Sequence, residues 1–251
     1  MSFRSARKPD RFVGFFPNAI GKAEKGATAL NILKGSELLR NIPALAAALH
    51  DVSTAWTGLG LVWLLGGSCS LLLQQVKLER QPNDIDVYAD IAAAKQLHMA
   101  APGEPEDRQE MNRSGPYTSL LSHYRVGGLR LELVGGFEIM AGGSMYRLEV
   151  EHVLQKRAPL LELEDHQLQL TPLSHEFMFN LLRDRPDRYE AIAQVMNGCP
   201  DLHAPLVRRL LQTNVWSDSH LSRMAALLPW AADIVAGQQK EDREGEDRYE
   251  S

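Results

Sequence analysis

The stretch Trp63-Leu64-Leu65-Gly66-Gly67-Ser68, followed by Asn83-Asp84-Ile85-Asp86-Val87, decides how this chain is read. The apolar run at 62–65 predicts a short buried strand, Gly66-Gly67 a tight turn, and Ser68 the N-cap of a helix through Leu71-Leu72-Leu73. A strand that feeds glycines into a helix N-terminus offers backbone N–H groups and the positive end of the helix dipole, with no side chains in the way. That is the chemistry of a phosphate seat. In the second segment strand alternation puts Asp84 and Asp86 on one face and Ile85 and Val87 on the other. At roughly 3.3 Å rise per residue the two aspartate Cα atoms lie about 6.5 Å apart, close enough for both carboxylates to reach one magnesium cluster. Like charges so close are costly to keep ionised unless a cation sits between them, so D-x-D on a strand points to a divalent metal. The competing reading is a turn in which Asn83-Asp84 caps a loop after Pro82.

Composition bounds the rest. With 251 residues, 44% of them hydrophobic, the chain can bury one large core or two small ones. No run approaches 18 apolar residues, and the basic N-terminal segment, with Arg4, Arg7, Lys8 and Arg11, lacks the apolar middle of a signal peptide; a cytoplasmic protein without membrane contact is expected. Cys69 and Cys199 are the only cysteines, which indicates buried free thiols rather than a disulfide framework or a cysteine zinc site. A net charge of −5 argues against tight non-specific binding of nucleic acid. Residues 1–27 read as an irregular arm. Gly21-Lys22 is not a phosphate loop, because Phe16 and Ala23 occupy the positions of its first glycine and its Ser/Thr. Helical spacing predicts scaffold helices over 27–40 and 43–55, the second opened by Pro43.

Beyond the carboxylate strand, Asp90 is expected to cap a helix over 91–99, and residues 101–116, rich in proline, glycine and charge, read as a mobile loop. Gly127-Gly128 joins strands at 119–126 and 129–134 in a tight hairpin. In the second strand Leu129, Leu131 and Leu133 face one way and Arg130 and Glu132 the other, so Glu132 is the candidate third carboxylate, with Glu138 as the fallback and an exposed ion pair with Arg130 as the alternative. Short strand-like segments follow at 137–140, 145–150, 160–163 and 167–170. Ser174 is the expected cap of a helix over 173–182. His175-Glu176 begins like a zinc-protease helix, but Phe179 stands where the second histidine must be, so none of the eight histidines is assigned to metal. Arg183 and Arg185 sit in a charged turn before a helical region whose Leu206, Leu210 and Leu211 stripe reads as core. The charged end, 239–251, is expected to be disordered.

Gly66-Gly67-Ser68, then Arg80, then Asp84-Ile85-Asp86-Val87 resembles the nucleotidyltransferase superfamily. That superfamily includes DNA polymerase beta, the aminoglycoside and lincosamide nucleotidyltransferases and the antitoxin- and toxin-type minimal nucleotidyltransferases. The resemblance covers about 63–134 and, more loosely, 170–192, where Arg185-Pro186-Asp187 is similar to an R-x-K-D-like helix end beside the nucleotide. It implies an α/β (α+β) fold: a nucleotidyltransferase-like mixed β-sheet flanked by helices over 28–170, then a mostly helical C-terminal region over 171–238. It implies Mg2+, or Mn2+, held by Asp84, Asp86 and Glu132, the last also a general base. A nucleoside triphosphate, ATP before the others, would lie on Gly66, Gly67, Ser68, Arg80, Arg183 and Arg185. The implied reaction moves a nucleoside monophosphate to an acceptor hydroxyl of a small molecule, a protein or an RNA end, releasing pyrophosphate. Two further readings stay open: a catalytically degenerate nucleotide-binding protein, and a toxin–antitoxin-type protein partner with the same fold. Behind them stands an α/β domain with a chance D-x-D.

Overall fold

The computed structural model describes residues 32–163 and 165–247; the arm expected over 1–27 lies outside them. The chain opens with β1 (Ile32–Lys34), α1 (Gly35–Leu38) and α2 (Pro43–Trp56), then β2 (Trp63–Gly66), α3 (Gly67–Leu73), β3 (Asp84–Ala89) and α4 (Ile91–Met99). A run of strands follows: β4 (Glu104–Pro105), β5 (Glu110–Ser114), β6 (Tyr117–Val126), β7 (Leu129–Ala141), β8 (Ser144–Arg147), β9 (Leu160–Leu163) and β10 (His166–Gln169). The helices α5 (Leu173–Leu182), α6 (Pro186–Gly198), α7 (Pro200–Gln212), α8 (Asp218–Leu227) and α9 (Ala232–Asp247) complete it. This is a mixed sheet flanked by helices with a helical C-terminal region, as the resemblance implied.

The main sheet has seven strands in the order β2-β3-β7-β6-β4, with β5 also on β6 and β8 on β7. β2 runs antiparallel to β3, β3 parallel to β7, and β6 and β7 form the expected hairpin. Its Gly127-Gly128 turn has φ +56° and +83°, the left-handed pair that a two-residue hairpin turn needs and that side chains resist. The alternation of β3 separates two cores. Ile85 and Val87, with Leu131 and Leu133, pack with Leu45, Leu49, Val52 and Trp56 of α2 and Leu97 of α4. On the other face Tyr88, Val134 and Phe137 pack with Phe177, Met178 and Leu181 of α5 and with the helices beyond it. Leu64 and Leu65 of β2 are both fully buried because each serves one core. A second sheet, β1-β9-β10, joins β2 through the bridge Leu65–Leu170 and the Thr171 N–H donated to Leu65 O at 2.8 Å.

Several local expectations give way to tertiary partners. The helix expected over 27–40 is instead β1 and the one-turn α1, since β1 finds a parallel partner in β9; 27–31 lie outside the described residues. The mobile loop expected over 101–116 holds β4 and β5, which hydrogen-bond to the free edge of β6. Asp90 makes no cap bond to α4; its two carboxylate oxygens accept the Val150 and Glu151 amides, each at 3.0 Å. Ser174 caps nothing either, and Pro172 holds the N-cap position of α5. The expected disordered end is helical to Asp247, its Gln and Lys being good helix formers and Gln239 donating to Asp218 at 3.1 Å; 248–251 lie outside the described residues. No helix among the described residues is long and apolar enough to cross a membrane.

Candidate functional site

Where β3 and β7 lie side by side, Asp84 pairs with Arg130 and Asp86 with Glu132. Parallel neighbours in register share faces, so Asp84, Asp86 and Glu132 stand on one surface of the sheet, beside the N-terminus of α3. They line a cavity of about 910 Å³ that also takes in Gly67, Ser68, Arg80, Arg183 and Arg185. All eight residues just named were expected from the sequence, and the fold brings all eight to one cavity. Gly66, the remaining expected member, is outside the lining. It is extended at φ −122° and lies flat on Tyr88, whose ring a Cβ there would meet at 2.4 Å. Glu138, the fallback, pairs across the β7–β8 turn with Arg147 and takes no part.

The glycine turn differs from the expected phosphate seat in two ways. Ser68 is not its cap: α3 already starts at Gly67, and the Ser68 hydroxyl lies 3.4 Å from Asp84 Oδ1, toward which it donates. The Gly67 N–H is also engaged, donating to Glu176 Oε1 at 2.9 Å. Gly67 has φ +58°, and a Cβ there would fall 1.8 Å from Asp86 Oδ2, so only glycine lets the turn close against the carboxylate.

Glu176 is the residue that sequence reasoning passed over. It lies in α5, every residue of which is buried, and only 1% of it is exposed. Thr171 Oγ1 donates to its Oε1 at 2.6 Å, alongside the Gly67 amide, while Oε2 has no hydrogen-bond partner. Burial pushes its carboxyl up to about 7, against the opposing pull of those two hydrogen bonds and of Arg183 and Arg188. The available signal was a lone acid in the apolar run Glu176-Phe177-Met178-Phe179. Asp86 is pushed up to about 8, first by burial and then by the charges of Asp84, Glu132 and Glu176. Cys69 donates to the Asp84 carbonyl at 3.0 Å, and burial pushes its thiol well up, as expected of an inert, enclosed cysteine.

Glu132 is held from behind. His123, paired with it across β6 and β7, approaches its Oε2 through Nε2 at 3.2 Å, and the other ring nitrogen meets Asp107. Asp107 also accepts the His123 amide at 2.8 Å, and the hydrogen bonds and charge of His123 hold its carboxyl below the usual range even though burial opposes this. On the far wall Arg183 lies over the Phe179 ring, 4.8 Å from its centroid, whereas Arg185 is tied to Asp187 by two hydrogen bonds of 2.9 and 2.7 Å.

Six carboxyl groups and four arginines line the cavity, three of the carboxyls, Asp84, Asp86 and Glu132, standing together on β3 and β7. The donor set of Asp84, Asp86 and Glu132 fits a hard divalent cation, which prefers carboxylate oxygens and would relieve the repulsion that lifts Asp86. Among the described residues no three His, Cys, Asp or Glu side chains already converge as metal ligands.

No family model matches the sequence. No curated protein matches it either. Solved structures do. A candidate nucleotidyltransferase of Thermotoga maritima aligns over 62% of this chain and 95% of its own, at 17% identity and a TM-score of 0.50. ANT(2'')-Ia in complex with adenylyl-2''-tobramycin aligns over 66% of this chain and 98% of its own at 13% identity, with a TM-score of 0.40. A candidate nucleotidyltransferase from H. pylori aligns over 85% of this chain and 98% of its own at 12% identity, with a TM-score of 0.33. Only the first reaches the level at which a shared fold follows. The chain shares its fold with that Thermotoga maritima structure.

Proposed function

We propose that this protein is a nucleotidyltransferase that moves a nucleoside monophosphate from a nucleoside triphosphate, ATP before the others, to the hydroxyl of an acceptor. The acceptor is a small molecule, a protein or an RNA end. The acceptor oxygen forms a bond to the α-phosphorus as the bond to the pyrophosphate oxygen breaks, and the hydroxyl proton leaves to Glu132. The observation that carries this reading is the in-register pairing of Asp86 with Glu132 on parallel β3 and β7, beside Asp84 and the Gly67 turn.

Asp84, Asp86 and Glu132 would hold two Mg2+ or Mn2+ ions, which when bound neutralise phosphate charge and acidify the acceptor hydroxyl. The chain's own groups do the rest. Arg80 and Arg183 meet phosphate oxygens from the loop before β3 and the end of α5, and Arg185 joins them on leaving Asp187. Gly67 keeps side-chain bulk away from Asp86, and Ser68 offers its hydroxyl between Asp84 and the phosphates. His123 and Asp107 fix the carboxylate plane of Glu132. In such a reaction positioning and charge neutralisation supply most of the rate.

Calorimetric titration of the four ribonucleoside triphosphates, with and without Mg2+, on wild type and the Asp84→Asn/Asp86→Asn variant tests this. Magnesium-dependent binding that the variant loses is the expected result, and pyrophosphate release follows once an acceptor is supplied. No binding by the wild type overturns the proposal. A second reading, nucleotide binding without turnover, has its own support: the Gly67 amide and Glu132 Oε2 are both already engaged inside the protein. Binding without pyrophosphate release with any acceptor class would favour it.

A further inference from the structure

A second cavity, about 180 Å³, lies at the opposite end of α5 and shares no lining residue with the first. Its walls come from β1, the end of α3, the turn before β9, the start of α5 and the α6–α7 junction. Apolar side chains, among them Leu33, Leu173, Val195, Leu202 and Leu206, make up much of its surface. Its charge is one-sided. Lys156 and Arg157 line it and no Asp or Glu does, in a protein whose net charge is −5. Neither cation has an ion-pair partner among the described residues.

Two further features face this space. His203 is only 7% exposed, yet its ring makes no hydrogen bond among the described residues; the Ser174 hydroxyl reaches its carbonyl instead, at 3.5 Å. The residue lines the cavity, and its ring nitrogens are not fully enclosed. Burial holds the imidazole down to about 4, and no carboxylate contributes to its environment. The second feature is the start of α5. The first amides bonded within the turn are those of His175 and Glu176, to Pro172 O, which leaves the amides of Leu173 and Ser174 without an intrahelical acceptor at the positive end of a ten-residue helix.

We propose that this cavity binds a small amphipathic acid, its carboxylate or phosphate headgroup meeting His203, Lys156, Arg157 and the first amides of α5 while a short apolar body lies on the leucines. The volume equals about six waters at roughly 30 Å³ each, which suits a headgroup carrying a chain of four to six carbons. The proposal stands independently of nucleotidyl transfer, because it uses none of the residues of the first cavity.

The chain carries its own reporter, since Cys199 lines this cavity and is partly exposed, whereas Cys69 is buried. The rate of Cys199 modification by a thiol reagent is measured on the full chain with acetate, butyrate, hexanoate, hexyl phosphate and hexanol, with the melting temperature followed in parallel. Protection by the acids is expected, tightening about fourfold per added methylene until the cavity is filled, with hexanol at least about tenfold weaker. Whichever of hexanoate and hexyl phosphate protects better identifies the headgroup. His203→Ala and the Lys156→Ala/Arg157→Ala pair lose that protection. Hexanoate and hexyl phosphate that neither protect nor raise the melting temperature overturn the proposal, as does hexanol acting equally well. The wild-type comparison decides even if a variant fails to fold.

Discussion

Replacing Glu176 by Gln removes one negative charge from the wall of the candidate site and leaves its shape. The native carboxyl is raised from 4.5 to about 7 by burial. Between those values the folded protein binds more protons than the unfolded chain, so stability falls as pH rises through that window. Raising the carboxyl from 4.5 to about 7 corresponds to roughly 3 kcal/mol, present as a penalty above pH 7 and absent below pH 4.5. The glutamine oxygen still accepts from Gly67 and Thr171, and its amide takes the place of the unpartnered Oε2. Urea unfolding in EDTA at pH 4.5, 6, 7 and 8 reads the effect. The variant should match wild type at pH 4.5, exceed it by about 2–3 kcal/mol at pH 8, and lose much of the wild-type slope; the remainder belongs to Asp86, which is also raised. A variant less stable than wild type at pH 8, or one with an unchanged slope, refutes the account of Glu176 as a buried charge held at a cost.

Gly67→Ala should cost about 1–2 kcal/mol for the left-handed backbone alone and displace Asp86, whose Oδ2 lies 1.8 Å from the added Cβ; calorimetry should show nucleotide affinity lowered at least about tenfold, and wild-type binding would contradict the packing. His123→Ala leaves Asp107 and Glu132 without their shared partner and should lower stability by about 1–2 kcal/mol in urea. Its Mn2+ affinity, read by paramagnetic relaxation of water, should fall as Glu132 loses its fixed plane, and unchanged affinity removes His123 from the site. Arg185→Ala breaks an exposed pair with Asp187 and should change stability by less than about 0.5 kcal/mol. A fall in triphosphate affinity without a fall in melting temperature would mark Arg185 as a ligand contact.

Strand alternation made the site's floor legible. Asp86 and Glu132 each stand between aliphatic residues that vanish into the α2 and α4 core, and Asp84 precedes the first of them; that pattern needs no tertiary information. The hairpin was equally readable from its glycine pair. β5 was not, because Glu110-Met111-Asn112-Arg113-Ser114 has no buried face of its own and is strand only through its bonds to β6. The caps failed for a related reason. Ser68, Asp90 and Ser174 are good local capping residues, yet each spends its oxygen on a partner distant in sequence, and local propensity cannot see those partners. Glu176 was hidden by its helix, since every residue of α5 is buried and the sequence does not show which of them faces the sheet.

The hydrogen bond between the Gly67 amide and Glu176 spans 109 positions of chain, and the parallel pairing of Ile32 with Leu160 spans more. During synthesis at about 5–20 residues per second, the glycine turn therefore waits roughly 5–20 s for the carboxylate that holds it. The β6–β7 hairpin, by contrast, can close as soon as its two-glycine connection has been made. Local pairing can therefore begin at the middle of the chain, whereas the glycine turn of the cavity is tied down only by a contact that must wait for α5.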